Sequence, residues 1–165
     1  MMDPVFFWLE STAISIWVRE SISLFAFPGI LAIHTIGMAF VVGITAALTF
    51  GLFGLARFPV RDMERFFPIL WIGFWVNAAS GLALLMGYPT KALTNPVFYL
   101  KLTLILVAVS LLKPIGRRVF GESPPSEREA RTAKVLAAVS LACWTGAIVA
   151  GRLLAYTYNR LTVDM

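Results

Sequence analysis

Apolar and polar positions alternate along this chain in long blocks. From Glu20 to Arg57 there is no Asp, Glu, Lys or Arg, and the one ionisable side chain in between is His34. Two more stretches without a formal charge run from Arg65 to Lys91 and from Lys134 to Arg152. Crossing the hydrocarbon of a bilayer takes about 20 apolar residues in a helix. The element has to be a helix, because lipid offers no partner to a backbone N–H or C=O. The pattern predicts an all-α fold: a four-helix transmembrane bundle with spans at about 28–52, 68–88, 96–114 and 132–158, making one transmembrane domain of residues 1–165.

Ahead of the first span the period changes. Over 4–20, Leu9, Ala13, Ile16 and Trp17 share one helical face, and Glu10, Ser11, Ser15 and Arg19 share the other. This predicts an N-terminal amphipathic interfacial helix, with Trp8 and Trp17 at headgroup level. Asp3 and Glu10 stand where a secretory signal carries positive charge, which argues against such a signal.

The punctuation between spans is specific. Pro28 and Pro68 suit first helical turns, and Asn95-Pro96 reads as a cap followed by a first-turn proline. Ser126 and Glu129 have the spacing of a capping box. Residues 89–95 read as a turn, and Pro114 as a kink in the third span. Small residues recur every fourth position at Ala39, Gly43, Ala47 and Gly51, and again at Ala138, Ala142, Gly146 and Ala150. Gly73, Asn77 and Gly81 make a comparable stripe on the second span. Such stripes let neighbouring helix backbones approach closely.

Composition agrees with this picture. The 165 residues are 59% hydrophobic and 14% charged, against about 25% charged in a soluble domain. The net charge of +5 does not signal nucleic acid, because the basic residues gather in two connections. Arg57, Arg61, Arg65, Lys113, Arg117, Arg118, Arg128, Arg131 and Lys134 fall on one side of the membrane; Arg19, Lys91 and Arg160 fall on the other. Nine against three predicts a multi-pass protein of a bacterial inner membrane with both termini periplasmic. Cys143 is the one cysteine, so there is no intrachain disulfide.

Ionisable groups inside spans are costly, and each is a functional candidate. They are His34, Lys101 and Arg152. At a rise of about 1.5 Å per residue His34 lies about 9 Å past Pro28, Lys101 about 8 Å past Pro96 and Arg152 about 9 Å before Tyr158, which is expected to put all three in the outer third of the bundle. Arg152 shares a face with Thr145, Tyr156 and Asn159, and His34 with Met38 and Thr45; Asn77 and Ser80 lie closer to mid-membrane. These stripes are expected to converge on one polar pocket. Each residue also has a plainer reading: His34 as an interhelical hydrogen-bonding group, Lys101 and Arg152 as side chains snorkelling to headgroups. No span contains a carboxylate, and Glu20 is the nearest counter-charge for Arg152.

One cofactor would use the set together. A b-type haem takes an imidazole on iron, here His34 as the metal ligand, and cations for its propionates, here Arg152 and Lys101, with Tyr156 beside them. Met86 is a candidate opposite ligand, as is His34 of a second protomer in a homo-oligomer. Copper is the other metal considered, since His34, Met38, Met86 and Cys143 are the soft or borderline ligands in the spans. No Ser/His/Asp set, phosphate loop or carboxylate pair supports hydrolysis or phosphoryl transfer.

Four pieces carry a family likeness: Trp8-Leu9-Glu10 with Arg19-Glu20-Ser21; His34-Thr35-Ile36-Gly37 followed by Gly43; Asn95-Pro96-Val97-Phe98 with Lys101; and Gly151-Arg152 with Tyr156. Through them the chain resembles an uncharacterised family of small four-helix bacterial inner-membrane proteins, loosely similar in layout to copper-resistance-D-like membrane domains. The resemblance covers nearly the whole chain and implies the four-helix fold without supplying an activity. Where related sequences carry an Asp and an Arg at the end of the first span, this chain reads Phe50-Gly51-Leu52-Phe53-Gly54. Three functions follow as expectations: a haem-binding redox or electron-transfer membrane subunit, a non-catalytic subunit of a larger membrane complex, and a small-solute or copper transporter.

Overall fold

A computed structural model describes residues 4–121, 123 and 125–161. The chain order is α1 (Pro4–Glu10), α2 (Ala13–Glu20), α3 (Phe27–Leu52), a 3-10 helix (Val60–Phe66), α4 (Phe67–Gly87), α5 (Pro89–Leu93), α6 (Pro96–Val119) and α7 (Glu127–Leu161). No strand occurs among the described residues, and the fold is an all-α bundle. Four segments, built on α3, α4, α6 and α7, are long and apolar enough to cross a membrane. Their outer surfaces are what a soluble protein cannot afford: Ile72, Trp75, Leu82 and Leu106 are all more than 60% exposed. In a bilayer that surface faces hydrocarbon, and this is a multi-pass membrane protein.

The bundle is built from two intimate pairs, α3 with α4 and α6 with α7, and α3 lies against α7 between them. Val41, Leu70, Ala108, Leu112 and Trp144 bring all four helices into one buried cluster. A second cluster of Leu48, Met63, Ile115 and Ala137 extends it toward the end that carries the 3-10 helix, called here the basic end. At that end Phe67 meets Phe120 edge-on at 5.0 Å. The opposite, N-terminal end carries α1, α2 and α5.

The small-residue stripes mark close approach but not always on the expected face. On α4 the expected stripe is the observed one, with Gly73 and Asn77 buried. On α3 the buried line is Gly37, Val41, Thr45 and Leu48, whereas a side chain at Gly43 would meet nothing within 4 Å. On α7 Ala133, Ala137, Ser140, Trp144 and Ala147 are buried together with Ala150, while Ala142 is exposed. Buried hydroxyls on the inner faces of α3 and α7 donate to carbonyls. Thr45 Oγ1 donates to Val41 O at 2.8 Å, Thr49 Oγ1 to Thr45 O at 2.7 Å, and Ser140 Oγ across to Ala108 O at 3.1 Å.

Helix ends follow the expected chemistry. Asn95 Oδ1 accepts from Val97 N at 2.9 Å. Glu129 Oε2 accepts from Ser126 N at 2.9 Å and from Ser126 Oγ at 2.8 Å, closing the capping box. The single helix expected over 4–20 is instead two. The hydroxyls of Ser11 and Thr12 turn back to the carbonyls of Trp8 and Leu9, and Thr12 caps α2. Ser15, expected on the solvated face, is fully buried with Val18, because α2 lies on the end of α4. A Cβ at Gly87 would stand 2.7 Å from Val18 Cγ1. Residues 89–93, expected as a turn, form the short α5, and the third span continues through Pro114 to Val119.

Candidate functional site

The polar centre of the bundle lies between α3 and α4. Gly37 and Gly73 let the two backbones touch: a Cβ on Gly37 would stand 2.8 Å from Gly73 O and 2.9 Å from Asn77 N. One helical turn before Gly37, His34 is thereby held against α4. Its Nδ1 lies 2.9 Å from Asn77 O and 3.1 Å from Ser80 Oγ. A carbonyl only accepts, so Nδ1 carries the proton and Nε2 is the nitrogen with a lone pair. Asn77 Nδ2 returns the bond, donating to His34 O at 2.7 Å. Ser80 Oγ is oriented by its own donation to Val76 O at 2.6 Å. The ring lies over Gly81, where a Cβ would meet His34 Cε1 at 3.1 Å. Nε2 has no hydrogen-bond partner among the described residues.

Lys101 enters from the other helix pair. Its stem crosses the α6–α7 seam over Gly151, where a Cβ would lie 3.5 Å from Nζ. The side chain is half-buried, and the ammonium is within electrostatic range of the His34 ring. Among the described residues it has no hydrogen bond and no ion pair. The ion pairs found there belong to Arg19, with Glu10 at 3.9 Å and Glu20 at 3.5 Å. Glu20, considered above as the counter-charge for Arg152, is therefore engaged with Arg19.

The five residues expected to converge divide into two groups. His34 and Lys101 are half-buried and electrostatically linked. Arg152 and Tyr156 are exposed on α7, Tyr156 at 67%, and Met86 is exposed on α4 at 38%. The reason is helical rotation. Gly151 faces Lys101, so Arg152, one residue on, is turned by about 100° toward the outside. Met86 stands in the same relation to Gly87, which faces Val18. Asn159, expected on the Arg152 face, lies outside the residues whose side chains are described. Asn95 Nδ2 donates to Thr157 Oγ1 at 2.8 Å, which sets the start of α6 beside the end of α7, the ends from which the depths of Lys101 and Arg152 were counted.

Gly81, on the stripe read for the second span, and Gly151 give His34 and Lys101 their room; what sequence reasoning missed is that these two side chains lie over them, a pairing between distant segments that no local spacing signals. Among the described residues no group of three or more His, Cys, Asp or Glu could hold a metal ion. The arrangement offers one imidazole of fixed tautomer and one ammonium, a pair able to hold an anion or a group that brings most of its own metal ligands. Comparison with protein-family models, with curated proteins and with solved structures finds no match for this chain.

Proposed function

We propose that this protein is a cofactor-binding membrane subunit with a redox or electron-transfer role, and that the cofactor is a b-type haem held at the His34–Lys101 pair. The observation that carries the reading is the state of His34. Histidines that ligate metals donate their other ring N–H to a carbonyl or carboxylate, which fixes the ring and leaves one nitrogen for the metal. His34 does this through Nδ1 to Asn77 O. A bare copper ion would need further protein donors beside it, and among the described residues no group of three or more His, Cys, Asp or Glu is present to supply them. A haem brings its own ring nitrogens and two propionates. Lys101 supplies the cation for a propionate, which relieves an ammonium that otherwise has no partner. When bound, the haem would supply one-electron chemistry; the chain's residues orient it and balance its charge. A second imidazole for the iron would come from His34 of a second protomer, which makes the proposal one of a homo-oligomer.

The nine-to-three division of basic residues supports a place in a bacterial inner membrane with both termini periplasmic. A second reading, a non-catalytic subunit of a larger membrane complex, is favoured by one observation: Arg152 is exposed on the apolar stretch of α7, where no carboxylate occurs between Ala130 and Leu161.

Protein purified in mild detergent from haem-replete cells is expected to show a Soret band, absent in His34→Ala and weakened in Lys101→Met. The lysine variant separates binding from folding. A charge costs about 2.5–3.5 kcal/mol at a helix centre on insertion scales and less toward the helix ends, so Lys101→Met is expected to keep or modestly raise stability while losing cofactor. A colourless wild-type protein overturns the haem reading, and a stoichiometric partner accompanying that colourless protein favours the second.

A further inference from the structure

The basic end holds a second polar concavity, remote from His34. It is a cavity of about 700 Å³ lined by Pro114, Arg117, Arg118, Gly121, Ser123, Pro125 and Glu129. Its walls are fixed from three sides. Arg118 Nη1 donates to Pro114 O at 2.9 Å, so one side of that guanidinium is tied to its own helix. Arg61 reaches across from the 3-10 helix to Gly121 O at 2.9 Å and anchors the connection after α6. The capping box of Ser126 and Glu129 holds the start of α7. Glu129 faces Arg118 within electrostatic range, but its Oε2 is already engaged by Ser126. Arg117 has no hydrogen bond or ion pair among the described residues. Among the described lining residues two guanidinium groups stand against one carboxylate.

Depth selects the ligand. Leu112 and Ile115 are fully buried in the bundle, and Arg117 and Arg118 follow within one turn, at the end of the apolar part of α6. The cavity therefore opens at headgroup height. Guanidinium forks match the oxygens of a phosphate, and phosphate is the anion that a bilayer presents at this level. We propose that this cavity binds the phosphate of an anionic glycerophospholipid headgroup, with Arg117 and the free donors of Arg118 as its ligands.

The test is thermal unfolding of the full chain in detergent, titrated with dioctanoyl phosphatidylglycerol, dioctanoyl phosphatidylcholine or inorganic phosphate. Phosphatidylglycerol is expected to stabilise the wild type with a midpoint about tenfold or more below that of phosphatidylcholine, since its phosphate charge is not offset within the headgroup. R117Q/R118Q is expected to lose that preference. R128Q/R131Q removes the same charge from residues that do not line the cavity and is expected to keep it. Wild-type midpoints within about twofold for the two lipids overturn the proposal, and this comparison stands even where a variant fails to fold. Equal loss in the two double variants overturns it as well, since bulk charge would then explain the preference. Stabilisation by inorganic phosphate equal to that by phosphatidylglycerol overturns the lipid as occupant and assigns the cavity to soluble phosphate.

Discussion

His34 and Asn77 bond each other's backbone across the α3–α4 crossing. The imidazole Nδ1–H donates to Asn77 O at 2.9 Å, and the Asn77 carboxamide donates to His34 O at 2.7 Å. Both donors are side chains and both acceptors are helix carbonyls, so each side chain fixes the other's height and rotation. Interhelical hydrogen bonds in membranes average about 0.6 kcal/mol in double-mutant cycles, with a maximum near 1.7. Because each bond ends on a backbone carbonyl that alanine keeps, His34→Ala and Asn77→Ala are each expected to cost about 0.6–1.7 kcal/mol, and their double variant reads how far the two bonds support one another. Detergent-denaturation curves of the four proteins measure it. Additive single effects would show that the two bonds are not coupled.

The Gly37–Gly73 contact makes a contrast with Gly43 on the same helix. A methyl on Gly37 would collide with backbone atoms at 2.8 and 2.9 Å, which have no room to shift, while a methyl on Gly43 would meet open space. Gly37→Ala is expected to destabilise by about 1–3 kcal/mol, the range for overpacking. Gly43→Ala is expected within about ±0.5 kcal/mol, as for substitutions that touch nothing. The same denaturation assay checks both, and equal effects would place the α3–α4 contact elsewhere. The expected loss at Gly37 extends to the site, since His34 is held to α4 by this crossing.

Orientation is checked by labelling. In a Cys143→Ser background, a cysteine at Ser126 is expected to react with a membrane-impermeant thiol reagent only after cells are opened. A cysteine appended after Met165 is expected to react in cells whose inner membrane is intact. Labelling of the Ser126 position from the periplasmic side reverses the topology. It would also move the arginine-lined cavity to the other leaflet.

Much of this protein was written in one dimension. The charge-free runs set four helices, because lipid leaves a backbone no other way to satisfy its polar groups. Asn95-Pro96 and the Ser126–Glu129 pair set helix starts, because those bonds are made within a few residues of one another. The N-terminal helix was less legible: Ser15 reads as polar surface until α2 is laid on Gly87 and the hydroxyl is enclosed. For Lys101 and Arg152 the sequence set matching distances from the start of α6 and the end of α7, since distance along a helix is only a count of residues at a constant rise. What a count does not provide is rotation. On an apolar helix nearly every residue suits either lipid or protein, so hydrophobicity does not say which face turns inward. That choice fell to contacts between segments far apart in sequence: Gly37 on Gly73, Lys101 over Gly151, Ser140 to Ala108. These contacts place His34 and Lys101 within electrostatic range of one another and turn Arg152, Tyr156 and Met86 outward. Helix existence is a local property of the chain in lipid, whereas helix facing depends on which backbones can touch, and only the assembled bundle determines that.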